Sequence, residues 1–143
     1  MMRIIGILTL FACIACKSEP EPIVFGKDAC HACKMMMTDH KFGAELVTKK
    51  GKVYKFDDLN CMLNYYNSGK EKVEDFEYVL VIDYTQPEKL IDAKNAFYLK
   101  SEAIRSPMAS EVAAFEQYNN LKSFKKEWSA IEMSWGEVVS QFK

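Results

Sequence analysis

The residues with most chemistry to offer stand together in Asp28-Ala29-Cys30-His31-Ala32-Cys33-Lys34-Met35-Met36-Met37-Thr38-Asp39-His40. The stretch carries two thiols, three thioethers and both histidines of the chain. A Cys-x-x-Cys loop can put two sulfurs on one metal ion or join them in a disulfide. The methionines change the weighting, because thioether sulfur is a poor ligand for Zn²⁺ and a good one for the soft ion Cu(I). Heme attachment is excluded, since Lys34 follows Cys33 where Cys-x-x-Cys-His needs histidine. Three further readings stay open on the residues alone. They are a structural zinc site built from Cys30, Cys33, His31 and His40, a thioredoxin-like redox pair, and a plain disulfide.

The other sulfur side chains sort by the elements that carry them. If Lys34 to Thr38 is extended, Met35 and Met37 share a face and Met36 points the other way. Met62 falls on the apolar stripe of a helix and reads as core. Cys61 lies beside that stripe and reads as a half-buried structural thiol. Met108 follows Pro107 in a loop between two expected strands, where packing does not demand an unbranched sulfur side chain. It is the best remote candidate for a further soft ligand. His31 and His40 read as solvent-facing or as neighbours of the ligands, though either could supply a nitrogen. No carboxylate pair suggests acid–base work, and no Ser-His-Asp or Gly-rich phosphate pattern is present. The expectation is a binding protein and not an enzyme.

The elements that must position these residues alternate between strand and helix. Ala44-Glu45-Leu46-Val47-Thr48 and Val53-Tyr54-Lys55-Phe56 flank Lys49-Lys50-Gly51-Lys52, a hairpin signal. Asp57 or Asp58 can cap a helix whose Leu59, Met62, Leu63 and Tyr66 share a face, with Gly69 to stop it. Phe76 to Tyr84 reads as a strand buried on both faces at its centre. Beyond Gln86-Pro87 the order partly repeats. Strands are expected at Leu90–Ala93, Ala96–Leu99 and Val112–Phe115, then a helix marked by Leu121, Phe124 and Trp128. A last helix opens with the capping box Ser134-Trp135-Gly136-Glu137, and Met133 is placed to staple onto Val138. The fold class is therefore α+β, with two pseudo-repeated ββαβ-like halves at roughly 27–86 and 87–143.

Length and charge narrow the function further. At 143 residues the chain suits one domain of ordinary size. A formal net charge of −1 gives no electrostatic case for nucleic acid. The N-terminus reads as an address. Arg3 precedes an apolar run from Ile4 to Ala12 that is too short to span a bilayer, and no acidic residue appears before Glu19. The run stops at Ala15-Cys16, so residues 1–15 read as a lipoprotein signal peptide with Cys16 as the lipidated residue; Cys13, after Leu10-Phe11-Ala12, is the competing register. Residues 16–26, with Glu19-Pro20-Glu21-Pro22, read as a stiff tether before a domain at 27–143. The expected location is the periplasmic side of a bacterial membrane, lipid-anchored and in the outer membrane.

Taken together, the lipobox, Asp28 to Met35, His40 shortly after it, and Ser106-Pro107-Met108 before a strand ending in Phe115 resemble the NosL family of copper-binding lipoprotein chaperones. Cys-x-Met followed much later by Pro-Met is fairly specific as a pair, and the resemblance spans most of the chain beyond Cys16. It implies Cu(I) held by Cys33, Met35 and Met108, with Cys30 next and His40 behind it. It also implies a copper-receiving partner, nitrous oxide reductase or its maturation machinery. Two positions depart from the family pattern: Lys34 and Ala109 stand where glycine is usual, which puts the local backbone geometry in question. The rival functions are a thiol–disulfide oxidoreductase using Cys30 and Cys33 and a structural zinc-binding interaction module.

Overall fold

The computed structural model describes residues 18–142, so the expected signal peptide and both lipidation candidates, Cys13 and Cys16, lie outside the described residues. The first half begins with β1 (Ala44–Thr48) and β2 (Val53–Phe56), joined by the expected hairpin. Helix α1 (Leu59–Tyr66) follows, and Leu59, Met62, Leu63 and Tyr66 form its buried face as the spacing predicts. A short 3-10 turn over Val73–Asp75 leads into β3 (Phe76–Ile82), which pairs antiparallel with β1 and is buried from Val79 onward. The sheet order is β2-β1-β3, extended at its β3 edge by β4 (Leu90–Asp92), a strand that comes from beyond residue 86.

The second half repeats this plan. Strands β5 (Phe97–Lys100) and β6 (Val112–Phe115) pair antiparallel, α2 (Tyr118–Glu127) crosses over, and β7 (Ile131–Met133) returns to the free edge of β5. The order β6-β5-β7 mirrors β2-β1-β3, so the α+β reading with two ββαβ halves holds. Strand β7 escapes sequence reading because three residues are too few to show alternation, and Ile131 is exposed. Its ladder to β5, not its own pattern, makes it a strand. Met133, expected as a staple, is thereby also a sheet residue opposite Tyr98. Helix α3 (Trp135–Gln141) opens with the predicted capping box: Ser134 Oγ accepts from the Glu137 N–H, and the Glu137 carboxylate accepts from the Ser134 N–H. No helix among the described residues is long and apolar enough to cross a membrane.

One apolar core lies between the first sheet, α1 and α3, and a second, around Phe115, Leu121 and Trp128, fills the space under α2. The two sheets meet where Asp83 bridges Ala114 in parallel. Gly43 enters β1 at φ 141°, and a Cβ there would lie 3.0 Å from Ile82 Cδ1, so glycine is what lets the chain pass this close to the core. The segment expected as a stiff tether touches the domain from Ser18 onward. Ser18 Oγ donates to the Thr48 carbonyl (2.9 Å), and Lys55 Nζ donates to the Pro22 carbonyl (2.9 Å).

Glu45, on the fully buried strand β1, receives the Glu21 N–H on Oε1 (3.0 Å) and has no partner for Oε2 among the described residues. Burial pushes its carboxyl up to about 7. A folded-state value raised above the unfolded one favours folding while the group is protonated. That contribution is complete below the ordinary value of 4.5 and is lost as pH rises through about 7. Glu45→Gln, which cannot ionise, should shrink the stability difference between pH 5 and pH 8 by about 1–2 kcal/mol, read from urea melts at the two pH values.

Candidate metal centre

The Cys-x-x-Cys loop is the tip of a small antiparallel ladder. The Met37 N–H donates to the Asp28 carbonyl (3.0 Å), the Cys30 N–H to the Met35 carbonyl (2.8 Å), and the Lys34 N–H back to the Cys30 carbonyl (3.0 Å). Reversing the chain between Cys30 and Met35 takes one left-handed residue, and that residue is Lys34 at φ 66°. The tip is fastened to β2. The His31 N–H donates to the Lys55 carbonyl (2.7 Å), while Lys55 Nζ is 2.8 Å from the Asp28 carboxylate. The His31 ring packs among Tyr54, Phe56 and Tyr65, and burial holds its imidazole below the usual value. Anchored this way, the loop drives Cys30 into the core, fully buried, and leaves Cys33 half-buried at the rim.

Both thiols face the start of α1. The ligand atoms of Cys30, Cys33, Asp57 and Cys61 all lie within 4.8 Å of one another, and the three thiols are free. The Cys33 Sγ donates to Asp57 Oδ2 (3.5 Å), and Asp57 Oδ1 has no partner among the described residues. Contact with Cys61 pulls the Cys30 thiol down, and the same contact pushes the Cys61 thiol up. Burial, then the neighbouring Cys30, raises the Asp57 carboxyl, and burial raises the Cys33 thiol. Three clustered thiols and a carboxyl at the edge of the core form a group that offers ligand atoms to a metal cation.

Asp58 serves a different loop. It occupies the N-cap position of α1, as expected, but its side chain makes no capping hydrogen bond. Its Oδ2 instead accepts from Ser106 Oγ (2.9 Å), the Met108 N–H (2.8 Å) and the Ser110 N–H (3.1 Å). Asn60, in the first turn of the helix, donates to the Met108 carbonyl (3.0 Å). The Pro-Met loop of the second half is thus tied to the same helix end that carries Asp57 and Cys61. Met108 is half-buried against the main core. Ala109 follows it at φ 56°, so both residues that replace an expected glycine, Lys34 and Ala109, are left-handed.

The thiol cluster unites Cys30 and Cys33 with Cys61, which the sequence read as a structural thiol, and with Asp57, read as a cap. The available signal was spacing: positions four apart at a helix start share a face. The three methionines of the loop differ in exposure. Met35 and Met36 are both exposed, at 57% and 59%, and Met37 is buried beside Gly43. His40 lies apart from the thiols. Its Nδ1 is 2.6 Å from Glu88 Oε1, and its ring stacks on Phe25.

Comparison with known proteins agrees with this architecture. The NosL family model matches residues 23–141. The copper-binding lipoprotein NosL of Stutzerimonas stutzeri is 26% identical over 133 residues, covering 84% of this chain and 70% of that protein. The crystal structure of the copper chaperone NosL from Shewanella denitrificans superposes with a TM-score of 0.70 at 18% identity, over 85% of this chain and 96% of that one.

Two predictions follow from the loop geometry. A left-handed non-glycine residue costs about 1–2 kcal/mol, partly offset by the entropy glycine loses on folding. Lys34→Gly and Ala109→Gly should therefore each raise stability by about 0.5–1 kcal/mol in denaturant melts. Asp58→Ala strands three donors and should cost about 2–4 kcal/mol. It should also accelerate hydrogen exchange at the Met108 and Ser110 amides, and Asp58→Asn should do less of both.

Proposed function

The chain belongs to the NosL family, and from that premise we propose that it is a membrane-anchored, extracytoplasmic Cu(I) metallochaperone. Its anchor is the lipid on Cys16, at the periplasmic face of the outer membrane. Its client is nitrous oxide reductase or the machinery that matures it. The observation that carries the reading is the thiol cluster of Cys30, Cys33 and Cys61, opened to solvent at Cys33 beside the exposed Met35.

Copper is cargo, and the reaction is ligand exchange with no covalent chemistry on protein atoms. Cys33 supplies a thiolate at the rim, Met35 a thioether from the exposed arm of the same loop, and Met108 a second thioether from the loop held by Asp58. Cys30 backs this set from the core, while His40 stays with Glu88 and outside it. A thiolate with two neutral thioethers suits a soft monovalent ion and carries no excess charge around it. Exposure of Met35 lets a partner's ligands displace the protein's one at a time. A closed cage of four sulfurs would hold the ion too long for delivery.

The test is competition for Cu(I) between the reduced chain and a Cu(I) chelator under anaerobic conditions. Cys33→Ser and Met108→Ala should each weaken binding by tenfold or more, about 1.4 kcal/mol per decade. Unchanged affinity in both variants would remove this site assignment. Loaded protein should pass copper to copper-free nitrous oxide reductase faster than the same concentration of copper–chelator complex does.

A further inference from the structure

The surface exchange described above uses Cys33, gives Cys30 only a backing place and leaves Cys61 without a role. Cys30 is entirely buried and Cys61 is 6% exposed. They arrive from different elements, Cys30 from the loop tip and Cys61 from the first turn of α1. Asp57, itself 5% exposed, directs its carboxylate into the same point and leaves Oδ1 without a partner among the described residues. Apolar packing does not account for this arrangement. A core position is filled more cheaply by aliphatic side chains, and an orphaned buried carboxylate oxygen incurs a desolvation penalty that nothing local repays. A cation between the sulfurs would repay it.

We propose that Cys30 and Cys61, flanked by Asp57, form an inner Cu(I) site behind the outer one made by Cys33, Met35 and Met108. The proposal rests on the copper-chaperone reading and adds a second position to it. Charge decides for Cu(I) over zinc. Zinc in a structural site takes four ligands and would draw all three thiolates and the carboxylate into the core with a net charge of about −2. It would also consume Cys33. Cu(I) between two thiolates leaves about −1, lets Asp57 keep its proton and hydrogen-bond a sulfur, and frees Cys33 for the rim. As each copper–sulfur bond forms, a thiol proton leaves to solvent, and no electron changes hands. Because the Cys33 sulfur lies within the same 4.8 Å sphere, it can hold an ion moving between the inner and outer positions. The inner site then refills the outer one after a transfer.

The experiment is an anaerobic titration of the reduced full chain with Cu(I) against a chromogenic Cu(I) chelator, with X-ray absorption at the copper edge. The wild type should retain two equivalents. Cys61→Ser should retain one, bound with thioether and thiolate sulfur. Met108→Ala, altered at a loop outside the cluster, should also retain one, two-coordinate with thiolate sulfur. The Met108→Ala spectrum keeps the proposal testable even if Cys61→Ser fails to fold. One equivalent in the wild type, unchanged in affinity by Cys61→Ser, would overturn the inner site and leave the chaperone standing. Zinc held by the cluster against excess Cu(I), or a Cys30–Cys61 disulfide in protein loaded with one equivalent, would overturn it as well. Failure of the wild type to retain any Cu(I) would defeat both readings.

Discussion

Asp58 lies at the N-cap of α1, almost wholly enclosed, and one of its carboxylate oxygens accepts three hydrogen bonds from the loop between β5 and β6. Charge-assisted hydrogen bonds from backbone N–H groups are among the stronger contacts available, and burial strengthens them further. The positive end of the helix dipole stabilises the charge that makes them. Together with the bond from Asn60 to the Met108 carbonyl, this contact fixes the loop bearing Met108 to the helix start that faces Cys33. The geometry of the candidate centre thus depends on a carboxylate outside the thiol cluster.

The neighbouring Asp57 shows how one helix start can serve two loops. Adjacent residues entering a helix point in different directions, so consecutive aspartates reach different partners. Asp57 turns toward the thiols of the Cys-x-x-Cys tip, and Asp58 turns toward Ser106, Met108 and Ser110. In the first half, the crossover helix of the ββαβ unit therefore offers its N-terminus to both halves. The second-half helix, α2, has Gln117 at the corresponding cap and buries Leu121, so it closes a core and carries no thiol. The duplication of the fold is not a duplication of the site.

Much of the architecture was legible because it rests on local patterns. The hairpin, the α1 stripe, the buried centre of β3 and the capping box at Ser134 each follow from spacing within a few residues. What escaped was set by partners distant in sequence. Strand β7 exists through β5, and Cys61 matters through Cys30, 31 positions earlier. Asp57 and Asp58 look like ordinary caps until the loops they hold are in place. The loop thiols could be picked out by their Cys-x-x-Cys spacing. A thiol beside a helical apolar stripe has a packing reason to be there, and so the place of Cys61 in the cluster was hidden.

The backbone at the two loops supports the same view of the centre. Lys34 directly follows Cys33, and Ala109 directly follows Met108, and both occupy the left-handed region. Non-glycine residues persist there only when their surroundings hold them. At Lys34 the hold is the ladder on either side, in which Cys30 and Met35 bond across the turn. At Ala109 it is Asp58, which binds the N–H groups of both flanking residues. In each case the bent backbone turns a sulfur-bearing residue out of the path of regular structure. The strain is thus placed next to a proposed ligand at both loops and is balanced by hydrogen bonds that do not involve sulfur. Such a frame would stay in place as the sulfurs took up and released an ion, which the proposed carrier role requires.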